Sequence, residues 1–250
     1  MEVHHHTQTA RQKWTHYIWE FLMLFLAVFC GFLAENFREH RVEAHREEQY
    51  AALLTEDIKA DTAMLASLIS EYEFVNPRID TFQQLVNTKA LDELPSGAWY
   101  YYGRFGTRNF TPVFQDASLA QLKSSGGLRY FRKHEAVNAI AHYDQACRDL
   151  VGSIDLQNYT YSAIILARNK IFNAYYMNEV MRLDVSIDTV EEFKKKNPPL
   201  LSRDQNDLIQ YASLCQLRWY NNKGNVRVAT QTLQKAKELL AILKKNYHLD

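Results

Sequence analysis

The sequence predicts an all-α protein in which a single N-terminal transmembrane helix continues into a long helical stalk and an up-and-down helical bundle. Three observations lead to this fold class. An uncharged apolar run extends from Phe21 to Ala34. The 250 residues include only 8 Gly and 5 Pro but 15 Tyr and 13 Phe, a composition typical of few turns and long helices. After residue 50, apolar residues recur at spacings of three and four, as the buried face of a helix requires.

The first two predicted segments are a polar, histidine-containing tail over 1–13 and a transmembrane helix over 14–37. A helix over 14–37 would be about 36 Å long, which is enough to cross a hydrocarbon core of about 30 Å. The Leu, Phe and Val side chains favour insertion by about 3–5 kcal/mol in sum, which exceeds the cost of Glu20 near one end. A buried helix of a soluble protein is the alternative. A cleaved signal peptide is disfavoured because charged residues follow the run where a cleavage site would lie.

A charged helical stalk is predicted over 38–49 and a helical bundle domain over 50–250. The apolar stripe that begins at Leu53 indicates a long helix, which we expect Pro77 to end, followed by a short helix to Thr88. The aromatic stretch from Trp99 to Phe110 is expected to be an irregular connection.

Further helix boundaries are predicted along the chain, several of them from capping and turn residues. Thr111 and Pro112 suggest a helix start, and Gly126 and Gly127 a helix end. One long helix is then expected from Lys133 to about Met181. A loop with one helical turn around 190–193 comes next, and a last long helix begins at a capping box of Ser202 and Gln205.

Charge and cysteine content exclude some functions. The 29 basic and 29 acidic residues cancel, so no global field favours nucleic acid, and a nucleic-acid partner is not predicted. Three cysteines are too few for a disulfide scaffold. Cys147 and Cys215 are each expected to be a small buried thiol, with a bridge between them possible in an oxidising compartment.

No residue pattern predicts a catalytic, cofactor or metal site. His4, His5 and His6 carry metal-binding atoms, but nothing in the sequence would fix them in one geometry. Asp57 and Asp61 share a helical face and are expected to be solvent-facing charges. Apart from His142, five residues before Cys147, no nearby histidine accompanies either bundle cysteine, and nothing resembles a catalytic triad. The sequence therefore supports neither an enzyme nor a cofactor.

The aromatic stretch is the one candidate interaction site. It combines aromatic and arginine side chains, a composition enriched at protein interfaces. The predicted partner-binding residues are Trp99, Tyr100, Tyr101, Tyr102, Arg104 and Arg108.

Three stretches of the chain resemble a known family: Met1–His6, Glu20–His40 and Gln121–Tyr130. They are similar to uncharacterised single-pass membrane proteins common in Bacteroidetes, and the resemblance spans most of the chain. It implies a native histidine-rich start and a helical domain behind the anchor. It implies no activity and no catalytic or binding residue.

The predicted function is a non-enzymatic helical interaction or scaffold module, anchored in the bilayer of a bacterial inner membrane, that binds a partner protein or assembles with itself. The alternative is a sensory input domain that binds a small ligand inside the bundle, and an enzyme comes third. Arg11 and Lys13 precede the span, and Arg38, Arg41 and Arg46 follow it, so the positive-inside rule hardly discriminates. Because a long domain can translocate regardless of these charges, we expect a cytoplasmic N-terminus and a periplasmic domain.

Overall fold

The computed structural model describes residues 14–182 and 187–249, so the predicted tail over 1–13 lies outside the described residues. Within the described ranges the protein is helical and contains no strand, and Phe172 and Leu200 form one isolated bridge. The predicted all-α class is thus confirmed. The helices are α1 Trp14–Thr88, α2 Ser96–Gly103, α3 Ala117–Ser124, α4 His134–Asp155, α5 Asn158–Ile171, α6 Ala174–Met181, α7 Ile187–Lys194 and α8 Gln205–Tyr247.

The chain divides into two compact units, and the first of them ends at Tyr50. Among the described residues, α1 is the one helix that is long and apolar enough to cross a membrane. None of its apolar stretch near the N-terminus is buried inside the protein. The rings of Phe21, Phe25 and Phe29 stack along one face of the helix. Just beyond the apolar run, the Arg38 guanidinium pairs with the Glu35 carboxylate.

Helix α1 does not end at Pro77, contrary to the expectation from sequence, and it continues to Thr88. Pro77 removes one backbone hydrogen bond from the helix interior. The Pro77 ring is exposed, whereas Val75 before it and Ile79 after it are buried in the core. Burial of these neighbours keeps the helix continuous, and solvent can satisfy the carbonyl that Pro77 leaves without a donor.

The second unit, Ala51–Asp250, is a bundle around the long helix α8. Helix α8 runs antiparallel to α1, because Tyr72 contacts Asn225 and Phe82 packs on Tyr211. Helix α8 also runs antiparallel to α4. Lys133, just before α4, contacts Asn246 near the end of α8, whereas Ser153, near the end of α4, contacts Asn225 in the middle of α8. The apolar stripes of these helices form the core that their periodicity predicts.

A layer of polar side chains crosses this core, although the sequence suggested only an apolar stripe. The Asn225 amide donates to Tyr72 Oη over 3.3 Å and to Gln157 Oε1 over 3.0 Å. One turn away, Asn222 Nδ2 donates to Asn76 Oδ1 over 2.9 Å. Because buried amides need partners, these bonds fix how α8 is aligned along its neighbours.

The region from 111 to 130 begins differently from the prediction. Thr111 and Pro112 lie outside any helix or strand, and α3 starts only at Ala117. The irregular segment before α3 is held instead by the Gln115 amide, which donates to Asp61. The predicted helix end is confirmed, since Gly126 adopts a left-handed φ of 66° after α3.

The single helix expected from Lys133 to Met181 is three helices, α4 to α6. The break after α5 has a clear cause, because Phe172 pairs with Leu200 and the Asn173 amide donates to Tyr100 Oη over 2.8 Å. The Asn173 side chain then caps α6 by accepting from the Tyr175 amide.

Helix α7 contains the turn expected around 190–193, and part of its preceding loop, 183–186, lies outside the described residues. Asp204, rather than Ser202, caps α8 by accepting from the Asn206 amide. Ser202 instead donates to Asp207 Oδ2.

The stretch expected to be irregular is ordered secondary structure. It forms α2 and a 3-10 turn over Arg104–Thr107. Gly97 allows α2 to approach the end of α7 closely, and its amide donates to the Lys196 carbonyl over 2.9 Å. A β-carbon at this position would lie 2.8 Å from that carbonyl oxygen and still closer to the one of Phe193.

We expect Gly97→Ala to lower the free energy of unfolding by about 1–3 kcal/mol, because the backbone of α7 must move away from the added methyl group. Gly224→Ala is the matched control, since a β-carbon there meets no atom within 4 Å in the interior of α8. The control should raise stability by about 0.5–1 kcal/mol. Chemical denaturation of the full-length protein in detergent measures both, and equal effects would contradict the close approach.

Candidate functional site: a cleft beside Asp61

The six predicted partner-binding residues lie mainly in the core. Trp99, Tyr100, Tyr101 and Arg104 are buried, and Tyr102 and Arg108 are partly exposed. The Trp99 indole donates to the Leu91 carbonyl, and the Tyr100 hydroxyl donates to the Pro199 carbonyl over 2.8 Å. Partner binding by these residues remains a prediction, and the structure gives the buried ones a role in the core.

Arg104 shows how this core accommodates a charge. Its guanidinium lies 4.7 Å from the ring centres of both Tyr101 and Phe105 and donates to the Val180 carbonyl. Cation–π contacts and a charge-assisted hydrogen bond offset part of the cost of desolvation. Arg104 therefore joins α6 to the end of α2.

A cleft of about 440 Å³ lies in the second unit, between α1, the irregular segment before α3, and α4. Its walls combine apolar side chains with several carboxylates, one arginine, one tyrosine and one cysteine. The lining residues are Asp61, Phe114, Gln115, Asp116, Leu119, Tyr143, Asp144, Cys147, Arg148, Val151, Gly152 and Asp155.

Asp61 lies in the wall of the cleft and is only 2% exposed. The Tyr143 hydroxyl donates to its Oδ2 over 2.5 Å, and the Gln115 amide donates to its Oδ1 over 2.8 Å. One turn earlier on α1, Asp57 accepts from the Ser118 amide over 3.3 Å. The expectation that Asp57 and Asp61 are solvent-facing charges is therefore wrong, because this face of α1 binds the backbone around the start of α3.

Burial dominates the electrostatics of the cleft wall. It raises the pKa of Asp61, and the hydrogen bonds from Tyr143 and Gln115 partly oppose this shift. Burial also raises the pKa of Tyr143 and raises the pKa of Cys147 to about 12. At neutral pH Tyr143 and Cys147 are consequently protonated, and Cys147 lacks the thiolate character of a catalytic nucleophile.

The bridge between Cys147 and Cys215 that the sequence left open is not formed, since all three cysteines are free. Cys215 is fully buried, and burial raises its pKa to about 12 as well. The expectation of small thiols on buried helical faces therefore holds for Cys215, whereas Cys147 is partly exposed at the cleft.

Asp144 differs from Asp61 because cations surround it. Partial burial acts to raise its pKa, but Lys123, whose Nζ lies 2.6 Å from Oδ1, and Arg148 together lower it. Asp116 precedes α3 without making a capping hydrogen bond through its side chain. Asp155 accepts one long bond of 3.4 Å from Asn158.

Across the described ranges, no group of three or more His, Cys, Asp or Glu side chains is arranged to hold a metal ion. His4, His5 and His6 lie outside the described residues. The cleft was not predicted from the sequence, but a signal was present. Asp61 follows the buried residues Leu54 and Ile58 at helical spacing, and an acid in a buried stripe indicates a bound carboxylate.

Comparison with known proteins found no matching protein-family model, curated protein or solved structure. The candidate site therefore rests on the geometry of this chain.

The two carboxyls of the cleft should affect stability with opposite pH dependence. The folded state raises the pKa of Asp61, so ionisation of Asp61 costs stability as the pH rises above its ordinary value of 3.8. The folded state lowers the pKa of Asp144, so its contribution is present above that value and is lost as the pH falls through the lowered pKa.

As the pH rises from about 3 to about 7, the stability of Asp61→Asn relative to the unsubstituted protein should therefore increase. The relative stability of Asp144→Asn should decrease over the same range. Denaturation of full-length protein across this range measures both differences. The same sign of pH dependence for both variants would contradict the assigned environments.

Trp99→Ala should lower the free energy of unfolding by about 3–5 kcal/mol, because it removes a fully buried ring and leaves a cavity. Tyr159→Ala, which truncates an aromatic side chain that is 81% exposed, should change it by less than about 0.5 kcal/mol. Denaturation curves of the two variants make the comparison. A neutral effect of Trp99→Ala would mean that this ring is not part of the core.

Proposed function

We propose that this protein is a membrane-anchored, non-enzymatic helical module that binds a small molecule in the cleft beside Asp61. The cleft geometry carries the proposal. Its volume falls within the range of about 300–1,000 Å³ that is usual for small-molecule sites, and a few polar groups converge between apolar walls. Of the two functions that the sequence suggested, this observation favours the sensory input domain.

The proposed location is a bacterial inner membrane, crossed once by the first part of α1. The apolar, unburied N-terminal stretch of α1 supports anchoring in a lipid bilayer. A cytoplasmic N-terminus and a periplasmic domain remain our proposal for the orientation, and membership of the Bacteroidetes family remains a proposal that rests on the sequence resemblance.

The non-enzymatic part of the proposal follows the prediction from sequence, and we propose a structural and orienting role for the groups of the cleft wall. Both Tyr143 and Cys147 keep their protons at neutral pH, since burial raises the pKa of each. The Asp61 carboxylate is occupied by two donors that hold α1 against its neighbours. These groups stabilise the cleft wall and can orient a bound molecule.

An interaction or scaffold role is the second candidate, and exposed apolar side chains favour it. Tyr159 and Leu166 lie seven residues apart on α5 and are 81% and 71% exposed. Residues at this spacing share a helical face, and exposed apolar patches often mark contact surfaces. A protein partner or a second copy of the chain would cover this face.

The ligand-binding proposal predicts that substitution at Gly152 blocks the cleft. Gly152 lines the cleft, and a β-carbon there meets no atom within 4 Å, so a side chain can begin at this position, and we expect that of Gly152→Leu to occupy part of the cleft. Gly224→Leu is the matched control, because it also grows into open space on a helix but lies outside the cleft lining. A small-molecule library should contain compounds that raise the Tm of the unsubstituted protein and of Gly224→Leu, but not that of Gly152→Leu.

The protein for this screen is extracted with detergent from the membrane fraction. Recovery of the full-length chain in the supernatant of a detergent-free lysate would contradict the anchor. Compounds that stabilise Gly152→Leu equally well would show that the cleft is not the binding site.

A further inference from the structure

The residues that line the cleft carry a net negative charge. Four carboxylates line it, those of Asp61, Asp116, Asp144 and Asp155, against the single guanidinium of Arg148. Arg148 pairs with Asp144, which Lys123 also contacts. Asp144 and its two cationic partners together carry one positive charge, and the other three lining carboxylates make the surroundings of the cleft negative overall.

Two of the remaining carboxylates are accessible to a bound molecule. Asp116 and Asp155 are both exposed, lie on different elements, and make little use of their oxygen atoms within the protein. A cation in the cleft would gain Coulomb attraction from lining carboxylates in a partly enclosed site, where the effective dielectric constant is below that of water.

The other walls of the cleft are apolar. Phe114 and Leu119 come from the segment that leads into α3, and Val151 comes from α4. All three are buried or partly buried, so they offer a surface to the body of a ligand rather than to water. The face of Phe114 can also attract a cation through its ring quadrupole.

A metal ion does not fit this arrangement. Metal sites need several oxygen ligands that converge on one point at about 2.0–2.6 Å. The acidic side chains of the described residues form no such group. The apolar walls would also contribute nothing to a bare ion, whereas they would bury the carbon atoms of an organic molecule.

We infer that the cleft takes a small organic cation, an amine or quaternary ammonium compound with an apolar or aromatic body. Its charge is attracted by the carboxylates of Asp116 and Asp155, and its body packs against Phe114, Leu119 and Val151. This inference rests on the proposed function of the cleft and adds the chemical class of its ligand.

Three probes of similar size and different charge test the inference: 2-phenylethylammonium, 2-phenylethanol and 3-phenylpropionate. Isothermal titration of the full-length protein in uncharged detergent micelles gives the Kd of each, with empty micelles as the blank. The cation should bind at least about tenfold more tightly than the alcohol and the carboxylate, as a single charge-assisted contact would give. Gly152→Leu should weaken its binding about tenfold or more, and Gly224→Leu should not change it.

Asp116→Asn combined with Asp155→Asn should reduce the affinity for the cation to that for the alcohol. Asp80→Asn, at an exposed position of α1 outside the cleft lining, should leave it unchanged. Equal binding of all three probes that still depends on Gly152 would overturn the charge inference and leave the ligand-binding function standing. Binding of the cation that does not depend on Gly152, or no binding of the cation, would overturn the inference as well.

Discussion

The carboxylate of Asp61 is the point at which three parts of the bundle meet. It lies on α1, accepts the Tyr143 hydroxyl of α4, and accepts the Gln115 amide from the segment before α3. A buried carboxylate is stable only when such donors surround it, so the positions of the three parts depend on one another. These contacts hold α4 and the irregular segment before α3 on the same carboxylate, in the wall of the cleft.

The sequence predicted the features that depend on local pattern. The all-α class, the apolar first helix and the helix end at Gly126 follow from periodicity and from the conformational freedom of glycine. The candidate site was not predicted, because it depends on contacts between residues far apart in the chain. Nothing near Asp61 in the sequence indicates that Tyr143 and the Gln115 amide will be its partners.

The wrong predictions about Pro77 and about the aromatic stretch have the same cause. Pro77 would end a helix in isolation, but burial of its neighbours on both sides keeps α1 continuous. The aromatic stretch from Trp99 to Phe110 is predicted from sequence to be an irregular connection, and its composition makes it the candidate interaction site. It is a buried helix whose close contact with α7 depends on Gly97. In each case tertiary packing outweighed a local preference.

The protonated state of the two bundle cysteines has a consequence for chemical durability. Because the thiolate is the species that reacts with oxidants and alkylating agents, a thiol whose pKa is raised by burial offers far less of the reactive anion at neutral pH than an exposed thiol does. Cys215 is in addition closed off from solvent. The bundle can therefore retain unpaired sulfhydryl groups for long periods even where most exposed thiols would be converted to disulfides or sulfenic acids.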